Sequence, residues 1–207
     1  VAKRQSKTEQ ERLLAYIREH KLVRARELEE SGVTRTAIQR ALAGGLIERI
    51  GRGLYQLPDA DIGADASLAE IAKQAPNAVL CLVSALAFHG LTDQLPRKVW
   101  IAVGKDQWVP KINYPPVRIV RFREPYFSNG IETHSIGGID LKVYSVAKTI
   151  ADAFRNSSLI DRSVAIESLK SALELRKATP AEIMSAAAAN RASRKVAPIL
   201  EALTANG

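Results

Sequence analysis

The sequence predicts an α+β chain of two domains, and three observations carry that prediction. Helical patterns up to Ala43 are followed by two short apolar runs around Gly51-Arg52-Gly53, ending at Pro58. Next comes DADIGADA, residues 59–66, which is small, acidic and poor in large apolar side chains and suits a linker. Then four β-branched runs between Lys98 and Tyr144 lie between two helical blocks, the order of elements expected of an α+β domain. The expected division is residues 1–58, a linker at 59–66, and a larger domain at 67–207. A chain of 207 residues is long enough for both.

The first domain can be justified element by element. Lys7 to His20 places Leu13, Leu14 and Ile17 on one helical stripe. Arg24 to Glu30 puts Ala25 and Leu28 three apart and runs into Ser31-Gly32-Val33, a tight turn. A helix begun at Thr34 gathers Ala37, Ile38, Ala41 and Leu42 on one side, which should be buried. Thr34 suits the N-cap, and Gly44-Gly45 suits the stop because glycine tolerates the geometry that ends helices. Leu46–Ile50 and Leu54–Leu57 read as a hairpin turned by glycine. Helices joined by a tight turn, followed by a two-stranded ribbon, are a winged helix-turn-helix.

On the outer side of the Thr34 helix, Arg35, Thr36, Gln39, Arg40 and Ala43 form a stripe with no large apolar residue. Arginine pairs with guanine and glutamine with adenine in the major groove, so double-stranded DNA is the expected partner. The candidate DNA-binding residues are Thr34, Arg35, Thr36, Gln39 and Arg40 on this helix and Arg49 and Arg52 in the wing. Lys3 and Arg4 join them as phosphate contacts that would not discriminate sequence. Charge agrees: residues 1–58 carry twelve Lys/Arg against seven Asp/Glu, a balance of +5, and residues 59–207 carry eighteen against fifteen, or +3. The excess is thus about four times denser in the first segment, as a phosphate-binding module requires.

In the second domain, Ser67 to Gln74 reads as a short helix with Ser67 as N-cap and Glu70 at capping-box spacing. Ala78 to His89 is apolar nearly all round and is expected as one buried helix. Lys98–Val103, Val117–Phe122, Ile131–Ile136 and Ile139–Tyr144 are the strands of a mainly antiparallel sheet, the last two joined by Gly137-Gly138. Helices are expected at Ser145–Arg155, Asp161–Glu174, Thr179–Ala189 and Ser193–Leu203, with Pro180 at the first helical position of the third.

No catalytic constellation emerges from these residues. His20, His89 and His134 have no metal-ligand spacing, and no cofactor or metal is expected. His89 suits a helix C-cap. There is no phosphate-binding glycine loop and no nucleophile elbow at Ser84. Ser145 and Lys148 match S-x-x-K, but Ser145 is a natural N-cap and the accompanying motifs are missing. Lys148 and Asp152 are spaced as an i, i+4 pair, expected on the surface. Asp59 and Asp61 form a D-x-D only within the linker. The one cysteine, Cys81, lies in AVLCLVSALAF and is expected as a buried structural thiol. No stretch is long enough to span a membrane and the first residues lack a signal-peptide core, so the cytoplasm is the expected location.

With the helix-turn-helix first, SALAFHGLTDQLP (Ser84–Pro96), VYSVAKTIADAFR (Val143–Arg155), DRSVAIESLKSAL (Asp161–Leu173) and the ATPAEI helix start follow in order. A chain so arranged resembles the AbiEi family of transcriptional-regulator antitoxins, and the resemblance covers nearly the whole length. It implies a repressor that binds promoter repeats of its own operon, with a larger domain that counters a nucleotidyltransferase-like toxin. Of the family's functional positions only the helix-turn-helix and wing residues named above carry over. The two alternatives to DNA binding are an interaction module that antagonises a partner protein, and an enzyme, for which the residues supply no acidic metal-binding motif in a strand.

Overall fold

The structure is a computed structural model that describes residues 8–20, 22–51, 53–58, 66–94, 96–112 and 115–205. Its architecture is α+β, divided into two compact units: Val1–Gln74 with Ser135–Asp140, and Ala75–His134 with Leu141–Gly207.

The first unit opens with α1 (Glu9–His20), β1 (Leu22–Arg24), α2 (Ala25–Glu30) and α3 (Arg35–Ala43), followed by β2 (Glu48–Gly51), β3 (Leu54–Gln56) and α4 (Ala66–Gln74). Leu13, Ile17, Leu28, Val33, Ile38, Ala41 and Ile47 close a single apolar core among the helices and the hairpin. Thr34 caps α3 as expected, its hydroxyl accepting from the Ala37 N–H at 3.2 Å. Two features were not expected. Strand β1 pairs antiparallel with β3, making a three-stranded sheet in the order β1-β3-β2. Helix α4 groups with this unit, and residues 59–65 of the expected linker lie outside the described residues.

Side-chain chemistry explains the place of α4. Glu70 is 3% exposed and receives the Arg24 guanidinium at 3.1 Å, and Lys73 donates to the Leu22 carbonyl at 2.9 Å and to Glu27 at 2.7 Å. Glu70 is therefore a buried ion-pair member and not the capping-box residue its spacing suggested, and Ser67 lies inside the helix. Such a carboxylate is strongly disfavoured in a low-dielectric site without its cation, which ties α4 to β1 and α2.

After α4 the chain forms β4 (Val79–Leu80), α5 (Leu82–Phe88), β5 (Val99–Gly104), β6 (Val117–Phe122), β7 (Ile131–Ile136), β8 (Ile139–Tyr144) and helices α6 (Val146–Arg155), α7 (Arg162–Glu174), α8 (Pro180–Ala189) and α9 (Ser193–Thr204), all of the second unit except the β7–β8 tip at Ser135–Asp140. The five strands lie in the order β6-β5-β4-β8-β7. Gly137 and Gly138, at φ of 58° and 81°, turn the β7–β8 hairpin in the geometry that glycine alone adopts freely. The sheet is mixed, which corrects the mainly antiparallel expectation: β4 runs antiparallel to β5, but β5 is parallel to β6 and β4 to β8. Parallel neighbours need a crossover of a dozen or so residues, and the long connection from β5 to β6 supplies one.

The expected single helix at Ala78–His89 is also corrected. Val79 and Leu80 pair with β5, Leu80 also pairs with Val143 of β8, and the chain turns into α5 through Leu82 at a positive φ of 47°. His89 caps its C-terminus, as the sequence suggested. The core of this unit is built from Val79, Leu82, Leu86, Ile150, Phe154 and Leu169 with the apolar faces of α8 and α9. Thr179 and Glu182 form a capping box on α8, the Thr179 N–H donating to the Glu182 carboxylate at 2.7 Å and the Glu182 N–H to the Thr179 hydroxyl at 3.2 Å.

The expectation for Lys148 and Asp152 is reversed. They do form an i, i+4 pair, at 2.5 Å, but their side chains are 2% and 0% exposed. Burial pushes the carboxyl of Asp152 up and the ammonium of Lys148 down, and each charge opposes the other's shift. The Lys148 ammonium also lies 4.5 Å from the Tyr144 ring centroid and 5.2 Å from that of Phe122. Helix α6 is enclosed on all sides, so a spacing that marks solvated pairs elsewhere marks an interior one here.

Candidate nucleic-acid interface

Helix α3 sets the geometry of the candidate interface. With Ile38 and Ala41 buried inward, Arg35, Thr36, Gln39, Arg40 and Ala43 all emerge exposed on the opposite side, the stripe read from the sequence. Their spacing puts Arg35 beside Gln39 and Thr36 beside Arg40, one turn apart.

The polar groups are not equally free. Thr34 is spent locally: its hydroxyl caps Ala37 and its N–H donates to the Glu9 carboxylate at 2.5 Å. That backbone bond, before any neighbouring charge, holds Glu9 below the usual carboxylate range. Arg35 is engaged by Glu29 of α2 through Nε and, at 3.4 Å, Nη2. Glu29 is lowered by the same hydrogen bond. Arg35 is 84% exposed, so the pair orients the guanidinium more than it stabilises the fold. Thr36, Gln39 and Arg40 make no side-chain hydrogen bond or ion pair among the described residues, so their polar ends point to solvent.

The hairpin beside the helix contributes Arg49. It lies exposed on β2, its Nε donating to the Gly51 carbonyl at 3.1 Å, where the register with β3 shifts between Arg49 and Gly51. Arg52, Lys3 and Arg4 lie outside the described residues. Sequence reasoning missed Glu29 and Glu9, the two acidic residues that occupy groups of the stripe. Their opposite charge to Arg35 and their place on the neighbouring helices were the available signal.

Sequence averaging also hid a second concentration of charge. Residues 97–123 carry seven Lys/Arg against Asp106 alone, a balance of +6 within a segment averaged into a domain of +3. All seven are exposed, on or beside β5 and the edge strand β6. Arg118 lies over the Trp100 ring at 4.0 Å, Arg121 donates to the carbonyls of Lys105 and, at 3.3 Å, Gln107, and Trp108 is 76% exposed.

The polar residues in the stretches that carried the family resemblance are used inside the fold. Ser84 accepts from the Trp100 N–H at 2.9 Å, His89 Nε2 donates to the Tyr144 carbonyl at 2.7 Å, and Thr149 donates to the same carbonyl at 3.1 Å. Burial lowers the His89 pKa and raises that of Cys81 well above the ordinary thiol value, which leaves the latter a poor nucleophile. Among the described residues no group of three or more His, Cys, Asp or Glu is placed to hold a metal ion, and no helix is long and apolar enough to cross a membrane.

The fold resembles the crystal structure of the RV2827C protein from Mycobacterium tuberculosis, at a TM-score of 0.56 and 14% identity over 99% of this chain and 83% of that one. No curated protein matches the sequence. The family model described as "Transcriptional regulator, AbiEi antitoxin" matches residues 11–58, which include all of α2, α3 and the β2–β3 hairpin. The likeness to that family of transcriptional regulators therefore rests on residues 11–58 of the 207.

Proposed function

We propose that this chain is a sequence-specific DNA-binding repressor in which α1–α3 and the β2–β3 hairpin act as a winged helix-turn-helix. It represses its own operon and serves as antitoxin to a nucleotidyltransferase-like toxin. Helix α3 enters the major groove with Thr36, Gln39 and Arg40 toward base edges, while Arg35, held by Glu29, lies toward the backbone. Arg49 and Arg52 of the wing, with Lys3 and Arg4, contact phosphates. The observation that carries this reading is the exposed Thr36–Gln39–Arg40 stripe, without hydrogen bond or ion pair among the described residues, on a capped helix inside the family match.

A salt-dependent titration against the chain's own upstream DNA and a scrambled duplex of equal length tests it. Preference for the native duplex is expected, with affinity falling as salt rises. Arg40→Ala should weaken that preference by about 1–3 kcal/mol, whereas Arg49→Ala should weaken binding to both duplexes alike. Equal binding to both duplexes by the unaltered protein refutes the proposal.

A second reading makes DNA binding secondary and gives the larger unit the task of antagonising an acidic partner protein. It is favoured by the exposed cations of residues 97–123, which the winged helix does not use. Full-length protein carrying Arg40→Ala would still protect cells from the toxin, and Arg97→Glu/Lys98→Glu/Arg123→Glu would not. The opposite pattern removes this reading.

A further inference from the structure

The helical part of the second unit encloses a cavity of about 270 Å³ where the end of α6, the start of α7 and the first turns of α9 meet. Its floor is apolar: Ala153, Phe154, Ile160 and Ala165 are all buried, and Pro198 and Ile199 supply a wall. The charged residues that line it are all cationic, namely Arg162, Arg194 and Lys195, with Asp161 next to Arg162 but outside the lining. Lys195 is already committed, donating at 3.0 Å to both the Phe154 carbonyl and the Ser157 hydroxyl, where it meets the partial negative charge at the end of α6.

Arg162 and Arg194 are different. Both are exposed at the rim, and neither has an acidic partner among the described residues. Arg162 is also the first residue of the 13-residue helix α7, whose N-cap Asp161 makes no side-chain hydrogen bond to the first turn. The rim therefore rests on two guanidinium groups without an acidic partner among the described residues, since the Asp161 carboxylate already offsets the positive end of α7. An anion there would satisfy the rim, but only an anion with an apolar body would also cover the floor. The volume falls just below the roughly 300–1,000 Å³ of pockets for drug-sized ligands, so the occupant is small.

We propose that this cavity binds a small amphipathic carboxylate, its apolar body against Phe154, Ile160 and Ala165 and its head group between Arg162 and Arg194. In a regulator such a site is an effector site, and the proposal stands whether or not the first unit binds DNA.

Isothermal titration of the full chain with octanoate tests it, with octanol and octylammonium as neutral and cationic controls of equal length. Saturable octanoate binding is expected, about tenfold tighter than octanol, with octylammonium weakest. Arg162→Gln/Arg194→Gln, both surface changes, should bring octanoate down to the octanol affinity while leaving octanol unchanged, since two exposed charge contacts together amount to roughly a factor of ten. Ile199→Trp, which fills the cavity from its partly exposed wall, should abolish both. Equal affinity for octanoate and octanol, octanoate binding indifferent to the double variant, or no saturable binding in the millimolar range would each overturn the proposal.

Discussion

Replacing Lys148 by methionine tests the interior of the second unit most directly. Asp152 is fully buried, its Oδ2 is held by Lys148 at 2.5 Å, and its Oδ1 has no hydrogen-bond partner among the described residues. Methionine keeps the aliphatic stem but leaves that carboxylate without its cation, and breaking a buried pair in this way costs about 3–5 kcal/mol. For a unit of this size, roughly 3–5 °C of melting temperature per kcal/mol gives a fall of about 9–25 °C. Both tryptophans, Trp100 and Trp108, belong to the second unit, so fluorescence during urea or thermal unfolding reports on it alone. The variant should also acquire a pH dependence. Asp152 already lies above the ordinary aspartate value through burial, and losing Lys148 raises it further. A carboxyl with a raised folded pKa favours the fold below its unfolded value near 3.8, and that advantage is lost as pH rises through the folded pKa. Lys148→Met should therefore be less destabilised in acid than at neutral pH, and Lys148→Met/Asp152→Leu should recover most of the loss. A cost under about 1 kcal/mol for the single variant, or a double variant no better than the single, would refute the reading of a buried, mutually dependent pair.

Three further outcomes are expected. Gly130→Ala should destabilise the second unit by more than about 1 kcal/mol, because φ is +69° and the added Cβ would lie 2.8 Å from Lys148 Cβ; tryptophan fluorescence on urea unfolding measures it. Burial raises the pKa of Glu70 above 4.5, so the stability it confers is fully present below that value and is lost as pH rises through the folded pKa. Glu70→Gln should remove that decline, seen as a flatter dependence of the urea midpoint by circular dichroism between pH 4 and pH 7. Thr179→Ala should cost about 1 kcal/mol through loss of the α8 cap, and an unchanged urea midpoint would show that the cap contributes nothing.

What the sequence revealed and what it hid follow from the range of each interaction. The face of α3 was legible because periodicity alone separates Ile38 and Ala41 from Arg35, Thr36, Gln39 and Arg40. Strands β6, β7 and β8 were legible with the bounds observed, since β-branched runs between turn residues are local signals. Their direction was not, because nothing within β6 states whether its neighbour runs with it or against it. Strand β1 is three residues between two helices, too short for a period of two to register. Glu70 was misread because the cation that holds it, Arg24, lies 46 residues earlier. Lys148–Asp152 has the spacing of a solvated pair. The neighbours that enclose it on α6, from Thr149 to Phe154, were visible in the sequence and read one face at a time. At the candidate interface the stripe was legible, but the partners that occupy part of it, Glu29 and Glu9, sit on other helices.

The turn at Leu82 bears on how this chain can vary. A leucine at φ +47° carries about 1–2 kcal/mol of backbone cost that glycine would avoid, so conformation alone favours Leu82→Gly. The same side chain is fully buried in the core, and deleting a buried leucine costs roughly 2.7–5 kcal/mol. The two preferences oppose each other at one position, and burial wins. Neutral drift is thereby closed to the residue type the backbone prefers, and a lineage can reach glycine here only after a neighbour has grown to fill the space.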